Sequence, residues 1–391
     1  MRETAVEVPR RGPASTSGLY VEVLRDVASL ERIRPQWHEL RRASHEGSAF
    51  TGPTFALDWY RSAEPRGGIY VIAVWRGEVL AGVMPLSSTR VGGVRVLTSM
   101  GADGSYYGDP LLGPDQGAVA GAIVSHLCRI TAWGLSVLSL RKLLAAGSVL
   151  KSLRDQSELD VRTLRTHTQC LLRFDQLGDV DEYFRQVSRR HQVERRRRRL
   201  AEHLGAVEYL PEDPEPDRAA AVMIDILKRR FDPENSVAGA KYLTKAEQFL
   251  TSSLFRELID VGEAQISSLK AGGKRVAVSV DIAARNRLDA EYVANDPDYL
   301  RHGAGSVKMY EFLLNASRSG VEVVDLGSAD YEYKSRWVPH TDELQDVLVT
   351  SRGASGALAH ALRRVAMAYR KRRGVGMHLA RSHPPGEMAE S

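Results

Sequence analysis

Between residues 289 and 337 the sequence reads DAEYVANDPDYLRHGAGSVKMYEFLLNASRSGVEVVDLGSADYEYKSRW, a stretch rich in residue types that bind anions and move protons. Gly303 and Gly305 flank Ala304 and precede Ser306, with Arg301 and His302 immediately before them. Glycines at a helix start let the backbone approach a ligand, and the first amides of a helix lack partners within it. The spacing therefore fits a phosphorylated cofactor. Upstream, Glu291, Tyr292 and Val293 lie in a strand-like run, where Glu291 and Tyr292, as neighbours, should point to opposite faces. Downstream, Asp330, Tyr331 and Tyr333 crowd a polar turn that continues to Lys334 and Trp337.

Three elements must position these groups: a strand from Asp289 to Ala294, a helix opened by the glycines, and an apolar strand from Val321 to Leu326. The same order is foreshadowed in the first half. There IYVIAVW and VLAGVMPL form a hairpin around Arg76, Gly77 and Glu78, and AQISSLKAGGKRVAVSVDIA repeats that hairpin in the second half. A strand, a helix and a strand follow each hairpin, from Gln116 to Leu135 in one copy and from Ala304 to Val321 in the other. The reading is an α/β (α+β) chain built of two copies of one unit, each a mixed sheet flanked by helices. Further expected elements are strands at Leu19 to Leu24, Val94 to Ser99, Tyr107 to Leu112, 161–165 and 169–174. Helical turns from Asp26 to Ala43 should break at Pro35, and a single helix should run from Lys245 to Val261.

A chain of 391 residues with 43% hydrophobic and 26% charged residues suits two soluble domains with appendages. The expected organisation is a disordered leader over 1–18, an N-terminal domain over 19–176, a C-terminal domain over 177–350, and a basic helix and tail over 351–391. The leader lacks the apolar run of a secretory signal, and no transmembrane segment is read, so a cytoplasmic location is expected. Cys128 and Cys170 show no metal-ligand spacing and are read as free thiols, with no metal. Residues 352–383 hold eight Lys/Arg and no acid, so a net charge of +5 falls to −3 without them. The basic excess thus belongs to the tail and does not mark the whole chain as a nucleic-acid binder.

TGPTFALDWY with VLAGVMPL, the arginine-crowded helix ending at Gly205, and the stretch from Gly303 to DLGSADYEYKSRW together resemble the GNAT superfamily of acyl-CoA transferases. More narrowly they resemble the bacterial tandem branch of cellulose and other polysaccharide biosynthesis, itself related to Fem-type aminoacyl transferases. The resemblance spans roughly residues 20–350. It implies two tandem GNAT-like units, with the pantetheine arm of acetyl-CoA or another acyl-CoA lying between two splayed parallel strands, along Tyr292 and Val293. It places the pyrophosphate on the amides of Arg301 to Val307, including His302, Gly303, Ala304, Gly305 and Ser306. Leu300 occupies the position where the superfamily usually has Gln or Arg. The acceptor is expected to be an amine on a small molecule or a polymer. Glu291 or Asp330 would take its proton, unless water relays it, and Tyr331 or Tyr333 would protonate the thiolate. Asp325, ending a buried strand, is read as structural, pairing with Lys334. Lys334, Trp337 and, from the first half, Trp59 are expected to contact the acceptor; His38 reads as packing.

The halves differ at the helix start. LLGPDQGAVAG puts Asp115 where a diphosphate would need free amides, whereas Tyr299 to Val307 holds no acid, so the cofactor site is assigned to the second half. Arg195 to Arg199 point all around a helix and read as a solvated surface, or alternatively as a site for an anionic acceptor or a grip on tRNA phosphates. The latter would make the donor an aminoacyl-tRNA. Another alternative is a binding protein with a decayed acyl site. The helix expected from Ala354 to Arg373 would dock on the domain or touch an anionic membrane surface.

Overall fold

The computed structural model describes residues 18–44, 49–62, 68–91, 93–100, 107–132, 136–187, 190–231, 237–284, 286–328, 334, 336–353, 356–358 and 361. In chain order the first half contributes β1 (Leu19–Leu24), α1 (Val27–Ala43), α2 (Pro53–Ser62), β2 (Gly68–Arg76), β3 (Val79–Val91), β4 (Val94–Ser99), β5 (Leu111–Leu112), α3 (Gln116–Ala132), β6 (Ser136–Leu144), α4 (Ser148–Arg154) and β7 (Leu159–Arg173). The second half adds α5 (Val180–Val187), α6 (Arg190–Leu204), β8 (Val207–Leu210), α7 (Pro216–Arg230), α8 (Val237–Leu250), α9 (Ser253–Asp260), β9 (Ala264–Ala271), β10 (Lys274–Ala284), β11 (Arg287–Asn295), α10 (Ala304–Arg318), β12 (Val323–Ser328) and β13 (His340–Ser351).

Two compact units emerge: the described residues up to Thr166 together with those from Leu344 onward, and His167–Glu343. Strands of the first unit follow the order β1-β2-β3-β4-β6-β13, and those of the second β8-β9-β10-β11-β12-β7. In each order one adjacent pair is parallel, β4 with β6 and β11 with β12, and the other pairs are antiparallel. Helices α3 and α10 make the crossovers that a parallel pair requires. The repeat read from the hairpins is therefore a repeat of topology. The strand that closes each sheet, β13 or β7, was not foreseen in that role.

Each crossover helix buries one apolar stripe on its sheet. Val119, Ile123 and Leu127 of α3 pack with Tyr70, Leu97 and Leu138, and Phe312, Leu313 and Ala316 of α10 pack with Leu172, Leu288 and Val324. On the opposite face of the first sheet, Leu30, Ile33 and Trp37 of α1 cover Val71 and Ala73. That burial carries α1 unbroken through Pro35, contrary to the expected interruption: the fully buried stripe outweighs the missing N–H.

Three other expectations change. The strands expected at 161–165 and 169–174 are one strand, β7, whose residues 162–166 are exposed on both faces and so show no alternation. The helix expected from Lys245 to Val261 is two, because the Ser252 side chain accepts the Phe255 N–H at 3.2 Å and starts α9 afresh. Of the strand expected over Tyr107 to Leu112, only Leu111–Leu112 pairs, with β3. The leader and most of the basic tail lie outside the described residues. No described helix is long and apolar enough to cross a membrane.

Candidate active site

β11 begins beside β12 and then leaves it. Parallel pairing joins Arg287 to Val323, Leu288 to Val324 and Asp289 to Asp325, and there it stops, although β11 continues to Asn295 in register with β10. Two features force the separation. The β10 register jumps from Val280 opposite Tyr292 to Asp281 opposite Ala290, so Glu291 is the extra residue of a β-bulge, which bends and twists its strand. On the other side, the pairing of β12 with β7 skips from Asp325 to Ser328.

Asp325 stands at the fork and is 1% exposed. Its carboxylate accepts two hydrogen bonds from Gln169 Nε2 at 2.9 Å, one from the Gly327 N–H at 2.6 Å and one from Arg287. Arg287 also donates to Asp289 at 2.6 Å. A carboxylate so enclosed replaces the ladder that a continued β11–β12 pairing would have supplied. The expected partner of Asp325, Lys334, is buried nearby. Its Nζ lies 3.5 Å from the Gly327 carbonyl, and burial lowers its pKa against the opposing pull of Cys170 and Asp325. Cys170 is buried and Cys128 half-buried, and both are free thiols.

The bulge also changes the side-chain pattern. Glu291 and Tyr292 were expected on opposite faces, yet burial first, then the neighbouring Glu291 charge, together with a hydrogen bond that the Tyr292 hydroxyl donates to Glu291, raise the Tyr292 pKa. Tyr292 is packed between Tyr242 and Phe249, with ring centroids 5.6 Å from each. The Val293 backbone is engaged by Tyr242: its N–H donates to the hydroxyl at 2.9 Å, and its carbonyl accepts from it at 3.4 Å.

Beyond β11 the chain is pinned before it reaches the glycines. Asp296, fully buried, caps a 3-10 turn over Pro297–His302 through the Asp298 N–H. Burial alone would raise its pKa, but Arg229, at 2.9 and 3.1 Å, and Lys274 hold it below the usual carboxylate range. Gly303 then takes a left-handed φ of 77°, and α10 begins. The amides of Gly303, Ser306 and Val307 are bonded within this turn, so the donor surface is narrower than the expected Arg301 to Val307.

The space above the glycines is used by side chains. A Cβ on Gly303 would lie 2.4 Å from Arg196 Cδ, and one on Gly305 2.9 Å from Asn295 Nδ2. Arg196, from α6, donates to Ser306 Oγ at 2.6 Å. The sequence offered Arg196 a solvated surface or a grip on phosphates, but no link to the glycine turn, because nothing local ties it to residue 303. Leu300, where a polar residue was expected, is exposed and offers no hydrogen bond from its side chain. Arg196 brings a guanidinium to the same turn from another helix. Arg301 donates to His302 at 3.2 Å, and His302 stacks on His203 with centroids 4.8 Å apart. Desolvation, His203, Arg301 and Arg199 lower the His302 pKa. The rest of the arginine run divides: Arg197 reaches Glu311 and the Val207 carbonyl, whereas Arg195, Arg198 and Arg199 are exposed with no carboxylate partner among the described residues.

Beneath α10 lies a buried polar cluster that sequence reasoning missed. Lys308, 3% exposed, donates to Ser279 Oγ, which bonds Asp281 at 3.1 and 3.3 Å and Ser267 at 2.9 Å. Burial lowers the Lys308 pKa to about 8 against the pull of Asp281, and burial raises that of Asp281. The signal was present: an acid within VAVSVDIA and a lysine on the helix face shared by Ala304, Val307 and Phe312.

Asp330, Tyr331 and Tyr333 lie outside the described residues. Trp337 packs against Tyr183 and its neighbours in the second unit, and its carbonyl accepts from the Tyr183 hydroxyl at 3.1 Å. In the first unit Trp59 meets Tyr60 edge-on at 5.0 Å beside the core. The helix start of α3 carries the ion pair of Asp115 with Arg76 at 2.7 Å, so the Asp115 carboxylate faces an arginine there.

Residues 187–335, which hold the bulge, the splay and the glycine-opened crossover helix, match the family described as Acetyltransferase (GNAT) domain. By structure the chain is similar to FemX, with a TM-score of 0.58 at 10% identity, covering 84% of this chain and 98% of that one. It is also similar to a conserved protein of unknown function from Bacteroides thetaiotaomicron VPI-5482, with a TM-score of 0.52 at 12% identity, covering 85% and 100%. At such identities these likenesses concern the fold. No curated protein matches the chain by sequence.

Proposed function

We propose that the protein transfers an acyl group from acetyl-CoA or another acyl-CoA to an amine by direct attack within a ternary complex. The observation that carries this reading is the parting of β11 from β12 after Asp289, in a strand that leads on to the glycine-opened start of α10. Arg196, the open end of α10, Arg301 and His302 would hold the diphosphate, their charge replacing what Leu300 lacks. An amide at the Glu291 bulge would meet the thioester carbonyl, a contact worth about 3 kcal/mol in the transition state. Glu291, with Asp330 as the other candidate, would receive the ammonium proton, and Tyr331 or Tyr333 would return one to the thiolate. The acceptor amine would sit on a small molecule or a polymer, and the reaction would run in the cytoplasm.

A free-thiol assay of coenzyme A release across an amine library tests the reaction. Acceptor-dependent release is expected, and its absence from every amine, together with no calorimetric binding at millimolar acetyl-CoA, rejects it. In Arg196→Ala the coenzyme A affinity should fall about tenfold, the loss of one charge-assisted phosphate contact.

A second reading, an aminoacyl-tRNA donor as in Fem-type enzymes, is favoured by Arg195, Arg198 and Arg199, which are exposed and have no carboxylate partner among the described residues. It predicts tRNA binding that weakens steeply with salt and is lost when these three become alanine. Binding unchanged in that variant rejects it.

A further inference from the structure

A strand turns the N–H and C=O of successive residues alternately to one side and the other, and a single residue's two groups share a side. Val293 gives both of its groups to Tyr242, a residue of α8, and Ser279 of β10 lies opposite it. Its polar pair therefore faces away from β10, on the side that β12 has left. One phenol, accepting from the N–H and donating to the carbonyl, satisfies the pair that a continued β12 would have taken. A secondary amide in an extended arm offers the same one donor and one acceptor. The Tyr242 ring is held by packing that does not need the hydroxyl, with centroids 5.8 Å from Phe231 and 5.6 Å from Tyr292.

We propose that Tyr242 is a latch on the donor cleft: it caps the Val293 backbone pair in the free protein, and a donor whose arm carries secondary amides displaces it on binding. The inference rests on the acyl-CoA reading, in which the pantetheine arm supplies those amides. Without the latch, β11 would expose an unsatisfied backbone pair in a half-buried groove. With it, donor binding exchanges hydrogen bonds rather than adding them, and the apparent affinity is the intrinsic one scaled by the fraction of molecules whose latch is open. The latch thus discriminates among donors. Pantetheine must open it, whereas adenosine 3′,5′-bisphosphate, which shares the 3′-phosphate and the first 5′-phosphate but lacks the arm, leaves it closed.

Calorimetry on the full chain with both ligands tests the idea, comparing the natural protein with Tyr242→Phe, which keeps the ring. Adenosine 3′,5′-bisphosphate should bind both proteins equally, while coenzyme A should bind the variant about three- to tenfold more tightly, the range expected for losing a competing hydrogen bond. Hydrogen exchange at the Val293 amide provides a readout independent of ligand. It should be at least about tenfold faster in the unliganded variant and slow again with coenzyme A. Equal exchange in both proteins, or an unchanged ratio of the two ligands' affinities, overturns the latch while leaving the phosphate site standing. If neither ligand binds either protein, the acyl-CoA donor falls and the displacement with it.

Discussion

Lys308→Met should unfold at a lower urea concentration than the natural protein, equivalent to about 3–5 kcal/mol of lost stability, because it strands the Asp281 carboxylate in a fully buried site. Methionine fills the lysine's volume, so the loss would reflect charge rather than a cavity. The pH dependence separates this cause from general damage. Burial already raises the Asp281 pKa, and removing Lys308 removes the attraction that opposes the rise. An acid whose pKa is higher folded than unfolded costs stability above its unfolded value, and the cost disappears as it becomes protonated in both states. The deficit of Lys308→Met should therefore be greatest near neutral pH and shrink as pH falls toward the ordinary aspartate range. Lys308→Met with Asp281→Asn should recover most of the loss at neutral pH. A double variant as weak as the single one would show that the pair is not the reason.

Asp325→Ala should cost a similar amount, about 3–4 kcal/mol by denaturant titration, and should impair acyl transfer beyond what unfolding explains. The substitution leaves the Gln169 amide, the Gly327 N–H and one Arg287 donor without their acceptor in a site 1% exposed. Asp325→Asn, with the shape kept, should fall between the two, since Arg287 retains Asp289 at 2.6 Å. The effect on transfer follows from position. Asp325 is the last residue of β12 to pair with β11, so its bonds fix where the strands part. Turnover per folded molecule, measured with saturating donor, should fall at least about tenfold in Asp325→Ala, the scale of an ångström-level misplacement at a reacting centre. An undiminished rate in the folded fraction would detach the fork from the chemistry.

Much of the frame was legible before the structure. Hairpins announced themselves through apolar runs around glycine turns, and the parallel strands and crossover helix of the second unit fell close to their expected bounds. These are local signals: periodicity, turn residues and helix starts act over a few neighbours. Gly303 and Gly305 were likewise visible, although the reason for their smallness was not, since what lies above them is Arg196 and Asn295. Errors fell where local rules meet tertiary force. Pro35 stays helical because its helix has a buried stripe, and Glu291 meets Tyr292 because a bulge suspends strand alternation.

By itself, the sequence determined that the chain repeats an α/β unit and that the second copy has the acid-free, glycine-opened helix start. Both follow from residue types within a few positions of one another. The tertiary structure alone decided which groups meet at the candidate site. Arg196 comes to Ser306 across 110 positions, Gln169 to Asp325 across 156, and Tyr242 to Val293 across 51. No local pattern encodes such meetings, because they depend on how α6 and α8 pack around the strands and on which strand closes the sheet. The same packing settled the identity of the cation at the glycine turn: where Leu300 offers none in sequence, α6 supplies one in space.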